Sequence, residues 1–312
     1  MSQSLNNVEL SLKERLTVLL VTSPIVSHPS TELLDKVVSS FQFVTDLNSC
    51  KLIILGDGVK CGKFRPKRGS VTNEMFSNYS SYLDKIDERI RSAEESSLWS
   101  RTSLVRMTEH LGFGHVVYHG LRMCQTEYVM VVQHDHPFSF SFRSISGRSI
   151  SGHVYYCSHF SISPVISFLD SGQAVYVTLP ISTVWRHVNR CASLYQMDLR
   201  RKTVQFQDAQ FVPILFWYDG THIARTKTYK ELVFEGEQSL PLGHFIEDTF
   251  SQWVMKLLRE DYERWHKIFS MFAYKPRQEE EALIYHLDGR KYRTDEERKL
   301  LGWVDNVDQV KG

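Results

Sequence analysis

The chain has 312 residues, 42% hydrophobic and 23% charged, enough to bury a sizeable core in one large or two ordinary domains. Lys and Arg number 37 against 36 Asp and Glu, so the formal net charge of +1 excludes a global field that draws the protein to nucleic acid or an anionic membrane. Five scattered cysteines without a C-x-x-C pair exclude a disulfide framework or zinc ribbon, and no apolar run approaches the ~18–20 residues of a membrane span. We therefore expect a soluble, cytoplasmic protein with no signal peptide and no integral membrane segment.

In chain order, 16–21 is a β-rich apolar run that ends in Thr22-Ser23-Pro24. Ser30 or Thr31 can cap a helix to about Phe43. A second strand, 51–55, stops at Gly56-Asp57-Gly58 and is followed by a basic loop with Lys60, Lys63, Arg65, Lys67 and Arg68. Residues 71–98 read as a solvent-facing helical region, 104–107 as a short strand, and 115–124 as a helix that leads to a strand from Tyr128. This β-α alternation implies a parallel sheet.

Beyond Phe138, the Ser-, Arg- and Gly-rich stretch 139–152 predicts a mobile loop near the site. A helix starting at 164–169, a strand over 174–179, and a strand over 211–218 with a turn at 220–224 follow. The spacing of Phe250, Trp253, Val254, Leu257, Leu258, Tyr262 and Trp265 predicts one helix over 247–266, with Glu247 and Asp248 in its first turn. Trp185-Arg186-His187 and Trp217-Tyr218-Asp219-Gly220 could face a sugar or serve the core. Residues 282–287 form an apolar-polar patch with His286, closed by a turn at Asp288-Gly289-Arg290.

The sharpest chemical signal is Gln133-His134-Asp135-His136 at the end of the apolar run 128–132. Ligands of open α/β sheets bind at that edge, and imidazole with carboxylate can hold a divalent cation. His134 and His136 alternate across the strand end, so at most one of them faces a metal.

In the order of these motifs, over roughly 16–290, the chain resembles the GT-A fold glycosyltransferases, in particular their inverting, family-2-like members. Soluble enzymes of this sort include the capsid-glycan transferases of large algal DNA viruses. The resemblance implies an α/β fold whose central, mostly parallel, Rossmann-like sheet is flanked by helices, with a smaller mixed acceptor-side region. It implies a polar segment 1–15, one catalytic domain 16–290 and a tail 291–312. Within the domain, 16–138 is the nucleotide-sugar half and 139–290 the acceptor half.

By the same resemblance Thr22, Ser23 and Pro24 line the donor site, Asp57 contacts base or ribose, and 109–115 is the glycine-containing turn before the metal strand. The family's D-x-D falls on Gln133-His134-Asp135, a departure at its first position. Asp135 keeps the carboxylate that anchors Mn²⁺ or Mg²⁺ on the diphosphate, and Gln133 can hydrogen-bond ribose. His136 and His286 complete the metal shell, and extra imidazole favours Mn²⁺. Glu247-Asp248 matches the family's carboxylate pair, with Asp248 as the general base. The implied reaction moves a sugar from a nucleoside-diphosphate donor, a UDP-sugar, to a hydroxyl of a glycan or other acceptor, with inversion.

Two other functions fit parts of the sequence. His134, Asp135 and His136 could form a zinc metallohydrolase centre, although Val131 and Gln133 stand where an H-x-H-x-D-H pattern needs histidines. Gln133 in place of an aspartate also suits a binding module for nucleotide sugars or carbohydrate without turnover.

Overall fold

The computed structural model describes residues 11–59, 71–138, 160–236, 238–275 and 282–301. The basic loop at 60–68 and the segment 139–152 lie outside the described residues. Among the described residues nine strands form one sheet: β1 (Leu16–Thr22), β2 (Lys51–Gly56), β3 (Thr102–Arg106), β4 (Tyr128–Gln133), β5 (Tyr176–Thr178), β6 (Val204–Phe206), β7 (Ala209–Pro213), β8 (His222–Arg225) and β9 (Met271–Lys275). Their order across the sheet is β3-β2-β1-β4-β8-β5-β9-β7-β6.

The first half is the expected parallel unit. β1 lies between β2 and β4, with Leu20 opposite both Ile54 and Val132. Parallel strands carry helices on both faces, so every residue of β1 is buried and the sequence reads as an unbroken apolar run. Leu16, Val18 and Leu20 join the cluster under the helices Glu32–Ser40 and Asn73–Arg91. Leu19 and Val21 join the opposite one, under Phe113–Met123 and Phe250–Glu260. Burial of each such aliphatic side chain contributes roughly 1.5–3 kcal/mol. Strand order runs outward from β1 through β2 to β3, whereas β4 lies on β1's other side. The carboxyl ends of β1 and β4 therefore flank a topological switch point, where a crevice opens in sheets of this kind.

The second half departs from expectation in three places. Residues 220–224 are not a turn: His222–Arg225 is strand β8, antiparallel to both β4 and β5 in the middle of the sheet. The strand expected over 211–218 ends at Pro213, and the chain through Trp217 continues as buried irregular backbone. The helix expected over 247–266 begins only at Phe250 and breaks at Asp261, which is extended at φ −152° and accepts the Arg264 N–H at 3.1 Å. A side chain that caps locally competes with helix continuation, so 262–266 forms a separate short helix. Glu247 and Asp248 thus precede the helix instead of occupying its first turn.

Candidate functional site

The end of β1 delivers Thr22 and the end of β4 delivers Gln133 to Pro137. Thr22 Oγ1 lies 2.7 Å from His134 Nδ1 and 3.2 Å from the Tyr82 hydroxyl. The N–H of Ser23 also points at His134 Nδ1, at 3.4 Å. His134 is thereby committed to the end of β1, and burial pushes its pKa down. Ser23 and Pro24 follow as partly buried loop.

Asp135 is engaged by the segment 286–289. Its Oδ2 accepts the Gly289 N–H at 2.9 Å and lies 3.4 Å from His286 Nε2, while its Oδ1 is buried without a hydrogen-bond partner. The backbone carbonyl of Asp135 accepts Leu287 N–H and that of Pro137 accepts Tyr285 N–H, so 284–289 runs beside 135–138. This pairing brings His286 across 151 residues of sequence. Gly289 is closely approached: a Cβ there would sit 3.0 Å from His134 Nε2 and 3.3 Å from Asp135 Oδ2, so these side chains would have to give way.

Burial opposes the charged form of Asp135, yet the His286 hydrogen bond, the neighbouring imidazoles and the Gly289 N–H hold its pKa well below the usual carboxylate range. Burial lowers the pKa of His136 to about 4, against the pull of Asp135, so its imidazole is neutral near pH 7. The same hydrogen bond to Asp135 raises the pKa of His286. Ligand atoms of Asp135, His136 and His286 all lie within 4.8 Å of one another.

These residues fit a divalent cation. Asp135 Oδ1 is buried and, among the described residues, has no hydrogen-bond partner, while the neutral His136 places Nε2 3.9 Å from it, a condition in which polar atoms are rare unless something binds them. Mixed imidazole and carboxylate donors suit Mn²⁺ or Zn²⁺ better than Mg²⁺. Of the two histidines that flank Asp135, it is His136 that joins the cluster.

Asp57 is also at the switch-point edge, but its side chain is engaged. Oδ1 accepts Leu111 N–H at 2.8 Å, Oδ2 accepts Gly112 N–H at 3.2 Å, and His110 Nδ1 lies 2.7 Å from Oδ2. Asp57 holds the 110–112 turn against β2. Gly58 permits this closeness, because a Cβ there would fall 2.2 Å from the Glu109 backbone.

Gln133 donates from Nε2 to the carbonyl of Asp219 at 3.0 Å. Asp219 and Glu247 bond reciprocally: Glu247 N–H donates to Asp219 Oδ2 at 3.3 Å, and Asp219 N–H to Glu247 Oε2 at 3.4 Å. Burial, reinforced by the nearby carboxylates of Glu247 and Asp248, pushes the Asp219 pKa well above the carboxylate range. Glu247 is raised for the same first reason, burial. Asp248 is exposed.

Asp219 is the site residue that sequence reasoning placed only among possible sugar contacts. The available signal was an aspartate before glycine at the end of an apolar run. Trp185, Trp217 and Tyr218 are buried in the core and present no open aromatic face.

No protein-family model and no curated protein sequence matches the chain. Solved structures do. S. aureus TarS residues 1–349 in complex with UDP-GlcNAc is 11% identical, with a TM-score of 0.42 over 86% of this chain and 60% of that one. The mannosyltransferase PcManGT from Pyrobaculum calidifontis, in complex with GDP-Man and Mn²⁺, is 10% identical, with a TM-score of 0.41 over 77% and 51%. The match spans about half to three fifths of these two solved chains, and 36% of a longer TarS chain.

Proposed function

We propose that this chain is a GT-A glycosyltransferase that uses a nucleoside-diphosphate sugar, a UDP-sugar, together with a divalent cation, Mn²⁺ in preference to Mg²⁺. The observation that carries the proposal is the buried, ionised, half-unpartnered carboxylate of Asp135 beside His136 and His286 at the switch-point edge. A cation held by those three residues supplies charge neutralisation to a diphosphate leaving group.

The chain's own residues supply the rest. Thr22, Ser23 and Pro24 border the same edge, where a nucleotide lies in sheets of this architecture. Asp57 fixes the 110–112 turn through one N–H on each oxygen and keeps lone pairs for the base or ribose. Asp248 is the general base: it is exposed at the mouth of the segment that Glu247 anchors, and takes the acceptor hydroxyl's proton as that oxygen attacks the anomeric carbon. A carboxylate that removes a proton without forming a covalent intermediate gives inversion. Glu247, bonded to Asp219 through its N–H and one carboxylate oxygen, positions this segment.

A thermal-shift panel tests the proposal: UDP, GDP and their sugars, each with Mn²⁺, Mg²⁺, Zn²⁺ or EDTA. Ligand at about 100 times its Kd stabilises the folded state by roughly 2.7 kcal/mol. A uridine nucleotide is expected to raise the Tm by several degrees with Mn²⁺ and by much less with EDTA. Stabilisation by Zn²⁺ alone, indifferent to every nucleotide, would instead point to a zinc hydrolase.

A further inference from the structure

The departure at Gln133 and the buried aspartate at 219 belong together. Asp219 is 5% exposed and stands where the irregular backbone after β7 turns into β8. On one side its carbonyl accepts the Gln133 amide. On the other, its carboxylate and N–H both bond to Glu247, one residue before the proposed base. The same segment is fixed twice more, since Trp217 N–H donates to Ser251 Oγ at 2.8 Å and the Tyr176 hydroxyl to the Tyr218 carbonyl at 2.8 Å.

We infer that Asp219 is a positioning residue that clamps the Glu247–Asp248 segment to the end of the metal strand, and that Gln133 is an amide because it has to donate to this clamp. An aspartate at 133 has no proton to give near neutral pH, and it is also too short to hold the same bond. Any reach it had would set a carboxylate oxygen against the Asp219 carbonyl, next to the buried carboxyl of Asp219 and the partly buried one of Glu247. The residue that departs from D-x-D therefore ties the donor half to the acceptor half. A base displaced by as little as 1 Å can lose about 100-fold in rate, so the clamp acts on turnover rather than on donor binding.

The inference rests on the glycosyltransferase assignment proposed above. It is tested by measuring UDP affinity in Mn²⁺ calorimetrically, alongside hydrolysis of the UDP-sugar that gives the largest thermal shift, for wild type, Asp219→Ala, Asp219→Asn and Gln133→Asp. Asp219→Ala is expected to keep UDP affinity within about threefold while kcat falls about 100-fold. Asp219→Asn keeps an acceptor for the Glu247 N–H and is expected to recover to within about tenfold of wild-type kcat. Gln133→Asp, which restores the D-x-D spelling, is expected to lower kcat rather than raise it.

Wild-type turnover in Asp219→Ala, equal loss of binding and turnover in that variant, or faster turnover in Gln133→Asp each overturns the clamp alone. A wild-type chain that binds no uridine nucleotide with Mn²⁺ overturns the parent assignment, and the clamp with it.

Discussion

Asp135→Ala is expected to abolish the Mn²⁺-dependent part of the nucleotide thermal shift, the largest effect of any single substitution in the protein. Three observations set its size. Asp135 is the one carboxylate among the clustered ligand atoms, its Oδ1 is buried with no hydrogen-bond partner among the described residues, and His136 beside it is neutral. Two imidazoles alone leave the cation's charge uncompensated in a buried setting. Alanine also strands the Gly289 N–H, a loss of about 1–3 kcal/mol that loosens the 284–289 segment. Asp135→Asn separates these effects, because an amide oxygen can still accept from Gly289. Asparagine is expected to keep the apo Tm within a few degrees and still lose the Mn²⁺ dependence. An Asn variant with wild-type dependence on Mn²⁺ would remove Asp135 from the metal site.

Asp248→Asn is expected to lower kcat about 10²–10⁴-fold with UDP affinity in Mn²⁺ unchanged, the range typical of a lost general base. The side chain is exposed and precedes the helix that begins at Phe250, so it contributes little to the core and its replacement leaves the fold intact. Glu247 differs in kind. Its carboxyl is paired with Asp219, so Glu247→Gln is a perturbation of packing and position, expected to lower the Tm as well as the rate. Turnover in Asp248→Asn equal to wild type would exclude Asp248 as the base and move the role to another group.

The parallel half was legible because its physics is local. Runs such as Leu16–Thr22 are buried on both faces, and the helices beside them show their periodicity in short windows. The cluster of Asp135, His136 and His286 was legible in part: Asp135 and His136 adjoin, whereas His286 came from the resemblance to known enzymes, and the pairing of 284–289 with 135–138 brings it to Asp135. β8 was not legible. It has four residues, and its His222 is fully buried because Nδ1 meets the Gly220 carbonyl at 2.7 Å and Nε2 the Tyr229 hydroxyl at 3.1 Å, partners that no periodicity reveals. The helix start was misplaced because a carboxylate pair before an apolar run is good helix-capping chemistry, whereas here Glu247 is drawn off to Asp219. Asp57 shows a similar limit. An aspartate at a strand end suggests ligand contact, and tertiary structure also gives its oxygens the N–H groups of Leu111 and Gly112, a role that no local pattern announces.

The most direct test of the metal and nucleotide site is anomalous diffraction at the manganese edge from crystals grown with MnCl₂ and UDP. The expected result is one strong peak within bonding distance of Asp135 Oδ1 and His286, with the diphosphate against it at the carboxyl ends of β1 and β4. Nucleotide density without that peak, or a manganese peak away from Asp135, would contradict it.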